Sequence, residues 1–477
     1  MITFLTALVA LILGYLIYGT FVEKVFGIKE DRQTPCYTHK DGIDYIPIPT
    51  WRVFLIQFLN IAGTGPIFGA IMGILFGPSA YLWIVLGCIF AGSVHDYLCG
   101  MISIRKNGAS LPEIVGDELG QGARIVMRIF SLVLLVLVGA VFVTTPAGLL
   151  ASMTQESVPY LTPMFWTGVI FIYFILATLL PIDTLIGKLY PLFGLALLIM
   201  AFGVGYGIIM KDGWMPELTD GLASTHPKGL SVIPMLCITI ACGAISGFHG
   251  TQTPLMSRCI QNEKYGRAVF YGSMITEGIV ALIWAAASIK FFGSYEALAD
   301  AGNPGIVVNK ICTSWLGVAG AILAILGVVA APVTSGDTAF RSARLIAADF
   351  LHLDQSKIFN RLVICIPLFL IALVLMFLDF NVLWRYFAWS NQTLATLTLW
   401  TSTVWLARKR KLFFITLLPA LFMTVICTSY ILVADEGFKL PQYVGITAGL
   451  VVMAIAGTAF FIWWRNIRKN PEVSDKE

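Results

Sequence analysis

Two stretches apolar enough to cross a bilayer carry helix breakers and polar groups at mid-depth. Residues 58–70 read FLNIAGTGPIFGA, with Gly63-Thr64-Gly65-Pro66 at the centre. Residues 242–258 carry Ser246, Gly247, His249, Gly250, Thr251, Gln252 and then Pro254. Non-helical backbone in hydrocarbon costs several kcal/mol per unsatisfied group, so it persists only where it is buried in protein or lines a wet cavity. Either break alone also reads as glycine for close packing and proline for a kink. A matched pair reads as a transporter's midplane site. With Pro66 and Pro254 opening second half-helices, and Gly65 and Thr253 capping them, two helix N-termini converge. Their free N–H groups and positive dipole ends favour an anion, a carboxylate first. Thr64, Ser246, Thr251 and Gln252 add hydrogen-bonding groups.

Ionisable side chains inside apolar segments are expensive and mark function or pairing. Glu277, in GSMITEGIVAL, has no charge within a turn and reads as a proton carrier or as half of an interhelical salt bridge. Asp337 in SGDTAFRSAR pairs with Arg341 by helical spacing. It also follows Thr334-Ser335, two adjacent hydroxyls suited to a small hard cation. His249 reads as a ligand contact or proton relay, or as a satisfied structural histidine. His95-Asp96 closes its span near the cytoplasm and reads as a gate or a fold-stabilising pair. Lys188 could place its ammonium in a cation site. Asn391-Gln392, within an aromatic belt, is polar enough to line a pathway. There is no H-E-x-x-H, P-loop or G-x-S-x-G. The nine cysteines form no C-x-x-C pair, which argues against a disulfide framework or a metal set. No cofactor is expected beyond a coupling proton or sodium ion.

The elements that must hold these residues follow from composition. Of 477 residues, 58% are hydrophobic and only 12% charged, with mean hydropathy +0.84. Soluble domains carry roughly a quarter charged residues, so the chain is an all-α polytopic membrane protein. The net charge of +4 is too small to suggest a nucleic-acid partner. Apolar runs predict about thirteen transmembrane helices near 2–22, 53–76, 80–104, 125–155, 163–182, 189–210, 231–257, 267–290, 312–340, 361–378, 383–407, 412–434 and 443–464. Residues 2–22 read as a retained first span. On this alternation all but six of the 31 basic residues (Lys211, Lys228, Lys290, Lys310, Arg385 and Lys439) fall in loops on one side. The positive-inside rule then puts the N-terminus outside and the C-terminus in the cytoplasm. The two breaks fall in spans two and seven. A five-span repeat is odd, so the second copy is inverted. The expected organisation is a first span and loop (1–50), a first five-helix repeat (51–210), an inverted second repeat (231–411), and two further spans with a tail (412–477).

The sequence resembles the carbon-starvation (CstA) family of bacterial membrane proteins. The resemblance lies in FLNIAGTGPIFGAIMG, HDYLCGMISIRKNGASLPEIVGDELG, CGAISGFHGTQTPLMSRCIQNEKYGR, APVTSGDTAFRSAR and WRYFAWSNQTLA. It implies nutrient uptake under carbon limitation, with peptides and pyruvate as associated substrates, in the bacterial inner membrane. Family members are often longer. The five-plus-five plan also resembles the LeuT-type transporter fold, with one helix before the core and two after it. That resemblance matches its two broken helices to Gly63–Pro66 and Ser246–Pro254, and its sodium-binding hydroxyls to Thr334-Ser335. Asp337 nearby leaves proton coupling open. The resulting expectation is a non-enzymatic symporter for a small carboxylate-bearing nutrient, with the bilayer and that nutrient as partners and no obligate protein partner. A channel on the same scaffold, a membrane-embedded enzyme using His249, Glu277 and Asp337, and a sensor are the rivals.

Overall fold

The computed structural model describes residues 1–42, 44–155, 158–179, 182–355, 357–378 and 380–469, with the side chains of 152–153, 178–190, 325, 328 and 380–382 outside the description. The Lys188 reading falls on those side chains. Among the described residues every regular element is helical. The chain runs through α1 (Ile2–Phe26), α2 (Thr50–Ala62), α3 (Gly65–Phe76) and α4 (Ser79–Arg105). It continues through α5 (Gln121–Thr154), α6 (Pro163–Leu179), α7 (Ile182–Met210), α8 (Gly247–Ser257) and α9 (Gly272–Phe292). The last elements are α10 (Pro304–Ile325), α11 (Ala331–Leu351), α12 (Ile358–Leu375), α13 (Phe380–Arg408), α14 (Phe414–Val433) and α15 (Gln442–Lys469).

Each of the thirteen expected segments overlaps helix, but the one expected at 312–340 straddles α10 and α11, and Arg341 and Arg344, expected in a basic loop, lie buried inside α11. By length and apolarity, nine helices among the described residues qualify as membrane spans, or ten with the bent pair α2–α3 taken as one. A count of thirteen therefore leans on helices that are short, broken or polar. The polar ones are buried inside: α11 encloses Asp337, Arg341 and Arg344, all within 1% of full burial. The apolar surface lies at the rim, where α12 and α15 expose Ile366, Leu370, Val374, Val451, Val452 and Ile455. A face of large exposed aliphatic side chains is what lipid requires.

The first break is where the sequence puts it. α2 and α3 bend by 45° across Gly63-Thr64. Thr64, rather than Gly65, is the N-cap, and Pro66 lies in the first turn, where a missing N–H is harmless. The second break lies earlier than expected. A short half-helix over residues 232–239 ends at Ile240, and α8 begins after Ser246, whose backbone is extended. Pro254 does not open a half-helix and Thr253 does not cap one; both are inside α8. Pro254 withholds an N–H from the carbonyl of Gly250. The thiol of Cys99 donates to that carbonyl instead, at 3.4 Å.

Side chains from elsewhere satisfy the broken backbone. Asn391 Oδ1 on α13 accepts from the Phe248 N–H at 2.6 Å and from the Ser246 hydroxyl at 3.1 Å. Gln392 Nε2 donates to the Cys237 carbonyl at 3.2 Å, and the Trp83 indole to the Ile240 carbonyl at 3.0 Å. Asn391 and Gln392 thus brace the two sides of one discontinuity. They do not simply line a pathway.

Candidate functional site

The two breaks meet. α3 lies against the second break along Gly65, Gly69 and Gly73. A Cβ at Gly65 would overlap the Cys242 side chain, and one at Gly69 would stand 2.9 Å from the Thr239 carbonyl oxygen. On the other side, Gly243 takes φ +93°, and a Cβ there would stand 2.5 Å from Ala281 Cβ on α9. Small residues let backbones approach this closely, as at membrane helix crossings. The N-terminal ends of α3 and α8 therefore open onto one buried region. Phe142 of α5 walls it, in edge contact with Phe248 and Phe387 and beside Gly63.

The first break also carries polar groups with no partner. Gln57 and Asn60 on α2 and the Thr64 hydroxyl are fully buried, and none of their side-chain polar atoms has a hydrogen bond. A buried unpaired polar group costs about 1–3 kcal/mol, so three together call for a ligand or ordered water. The sequence reading passed over Gln57 and Asn60. Their signal is an amide in an otherwise apolar run, Asn60 three residues before the breaker. Thr251 and Gln252, expected beside Thr64, are already committed. Thr251 donates to the Phe248 carbonyl at 2.6 Å, and Gln252 Nε2 donates to Thr251 at 3.0 Å.

On the second break the ionisable residues converge. His249 and His95 each place Nδ1 on Asp96, at 2.9 Å to Oδ2 and 2.7 Å to Oδ1. A carboxylate only accepts, so each imidazole donates its Nδ1–H and turns Nε2 away. His249 Nε2 faces Glu277 Oε2 at 3.3 Å, and all four side chains are fully buried. His95 and Asp96 therefore do not stand near a membrane face. They lie ten or so residues inside the Ser79–Arg105 helix and grip the first turn of α8. Glu277 has the interhelical partner that one of its two readings required. Gly250 lies in that turn also, where the nearest atoms to a Cβ would be the ends of Leu111 and His95, at 3.1 and 3.3 Å.

On α11, the Ser335 hydroxyl donates to the Leu59 carbonyl at 3.0 Å, at the end of α2 beside Gly63. The Thr334 hydroxyl back-bonds to Ala331 at 2.7 Å. The hydroxyl pair thus abuts the first break, with Asp337 two residues further along the same buried helix.

Discontinuous helices that meet at a buried polar centre, ringed by lipid-facing helices, define the class: a multi-pass membrane protein. The model of the family "Carbon starvation protein CstA" matches residues 1–162, 148–315 and 293–430, and the chain belongs to that family. A Haemophilus influenzae "Uncharacterized membrane protein" is 44% identical over 65% of this chain and 97% of its own. The Campylobacter jejuni "Peptide transporter CstA" is 31% identical over 64% of this chain and 52% of its own. The Escherichia coli "Pyruvate/proton symporter BtsT" is 29% identical over 60% of this chain and 49% of its own. The chain thus spans about half the length of these transporter-named relatives. Their names are those of transporters and not of enzymes.

Proposed function

We propose that this chain is a secondary active transporter, a symporter that imports a small carboxylate-bearing nutrient across the bacterial inner membrane. The observation that carries the reading is the meeting of the two breaks beside unpartnered Asn60 and Thr64. Helix N-termini supply positive potential for a carboxylate, although the Phe248 N–H of α8 is already held by Asn391. Asn60 and Thr64 supply further hydrogen bonds, and Phe142, Phe248 and Phe387 supply an apolar wall. Gly63, Thr64, Gly65 and Pro66 form one side of this site and the Ser246–Phe248 end of α8 the other, with Ser246 and Gly247 themselves held against α13. The names of the relatives favour a peptide or pyruvate as cargo. The inverted five-plus-five plan, a LeuT-type core and a cytoplasmic basic face belong to the same proposal.

The coupling ion, a proton or sodium, is assigned to Thr334, Ser335 and Asp337, because Ser335 touches the end of α2 at the break. An ion there would bias how α2 sits on α11, and so link its own gradient to the substrate site. Asp337→Asn keeps the shape and removes the charge. In proteoliposomes this variant is expected to exchange labelled substrate across the membrane but not to accumulate it. Gradient-driven accumulation equal to that of the parent protein would assign Asp337 to structure alone.

A further inference from the structure

Sequence spacing offers no metal set, yet the fold assembles one. Cys242 in the second break, His249 in the first turn of α8 and Glu277 on α9 each offer one donor atom. These atoms all lie within 4.8 Å of one another, and all three residues are buried. We propose that this cluster is a binding site for a borderline-soft divalent transition-metal ion, zinc first.

Three observations carry the proposal. The first is separation. His249 Nε2 and Glu277 Oε2 stand 3.3 Å apart, and His249 Nε2 and both Glu277 oxygens make no hydrogen bond. Hydrogen bonds of this kind cluster near 2.9–3.0 Å. Nitrogen and oxygen ligands of a tetrahedral zinc, each about 2.0–2.1 Å from the ion, stand about 3.3–3.4 Å apart. The pair is spaced as the edge of a coordination tetrahedron.

The second is orientation. A metal-binding imidazole almost always donates its other N–H to a carboxylate or carbonyl, which fixes the tautomer and aims the lone pair. Asp96 does this for His249 at 2.9 Å, and His95 holds Asp96 in turn at 2.7 Å. The buried His95-Asp96 pair, unexplained by the substrate site, acquires a role as the orienting carboxylate and its support.

The third is charge and chemistry. A thiolate and a carboxylate together neutralise a dication, with the imidazole neutral, so the filled site adds no net charge to the membrane interior. Thiolate, imidazole and carboxylate suit zinc and its neighbours. Magnesium and calcium prefer oxygen-only shells of six or more. Three protein ligands leave a fourth position open. The ion would tie the non-helical segment before α8 to the first turn after it, and both to α9.

The site goes beyond the transport reading and is tested without any substrate. The full chain is purified in detergent, stripped with a chelator, loaded with zinc or cobalt(II) and desalted. The expected result is one zinc retained per chain. The cobalt form should show strong tetrahedral visible bands and a near-ultraviolet thiolate-to-cobalt charge-transfer band. Cys242→Ser should abolish the charge-transfer band, whereas Cys99→Ser, one turn from Asp96 on the same helix, should leave it intact. Asp96→Asn keeps the ligands and removes the orienting carboxylate; zinc affinity should fall about 10–100-fold. The proposal is overturned if monodisperse parent protein retains no zinc. It is equally overturned if Cys242→Ser, His249→Gln and Glu277→Gln all retain zinc as the parent does. Either result would leave His249 and Glu277 as a buried ion pair and say nothing against carboxylate transport.

Discussion

Replacing Gly65 or Gly243 with alanine is expected to cut uptake several-fold or more, while Gly250→Ala retains most of it. A methyl group at Gly65 would occupy the space of the Cys242 side chain at its root, where no rotamer change relieves it. At Gly243 the backbone has φ +93°, and the new carbon would press on Ala281 at 2.5 Å. A left-handed conformation costs an L-residue about 1–2 kcal/mol, and overpacking adds about 1–3 kcal/mol. If that strain falls on the working conformation, each 1.36 kcal/mol costs about tenfold in rate. Uptake should then fall several-fold or more at Gly65, which bears overpacking alone, and more than about tenfold at Gly243, which bears both. At Gly250 the nearest atoms to a methyl are the movable end of Leu111 and the His95 ring, at 3.1–3.4 Å. The comparison is made on variants that insert into membranes and elute monodisperse. If Gly250→Ala fails while Gly65→Ala and Gly243→Ala transport normally, the contact between the breaks has no part in transport.

The second large effect is a separation of stability from activity at Asn60. Its amide is fully buried and makes no hydrogen bond within the protein. Removing an unsatisfied buried amide relieves about 1–3 kcal/mol, which offsets the packing lost with the side chain. Asn60→Ala should therefore leave the melting temperature of purified protein unchanged or raised, while uptake falls at least about tenfold, the equivalent of one lost hydrogen bond to substrate. A residue kept for structure would behave in the opposite way. A lower melting temperature with normal uptake would remove Asn60 from the site.

The sequence disclosed the first break to within a residue because its signal is local. Gly63, Gly65 and Pro66 punctuate the backbone whatever surrounds them, and the bend lies at Gly63-Thr64. The second break was displaced because the same signal misled. Pro254 is tolerated inside α8, since a cysteine thiol from α4 takes the carbonyl it leaves free. No pattern in residues 242–258 encodes that partner. The meeting of His95, Asp96, Cys242, His249 and Glu277 was likewise hidden, because it depends on how α4, α8 and α9 lie against one another. The four ionisable residues stood out singly in apolar runs, whereas Cys242 was passed over among nine scattered cysteines, and spacing along the chain assigns no contact between helices. Asn391 and Gln392 show the same limit: their polarity was legible, their bonds to the broken backbone were not. Polar α11 was only half legible: the span expected at 312–340 straddles α10 and α11, and Arg341 and Arg344, counted among the basic loop residues, are buried on α11.

The most direct measurement is uptake of labelled pyruvate and of a labelled dipeptide into proteoliposomes. Each is offered with an inward proton gradient, an inward sodium gradient, or neither. The account predicts that one of these carboxylates accumulates above its external concentration under one gradient only, and that Asn60→Ala and Gly65→Ala reduce the accumulation. Protein that is folded and inserted yet accumulates neither substrate, or merely equilibrates one irrespective of gradient, would contradict the claim that the paired breaks form the site of a symporter.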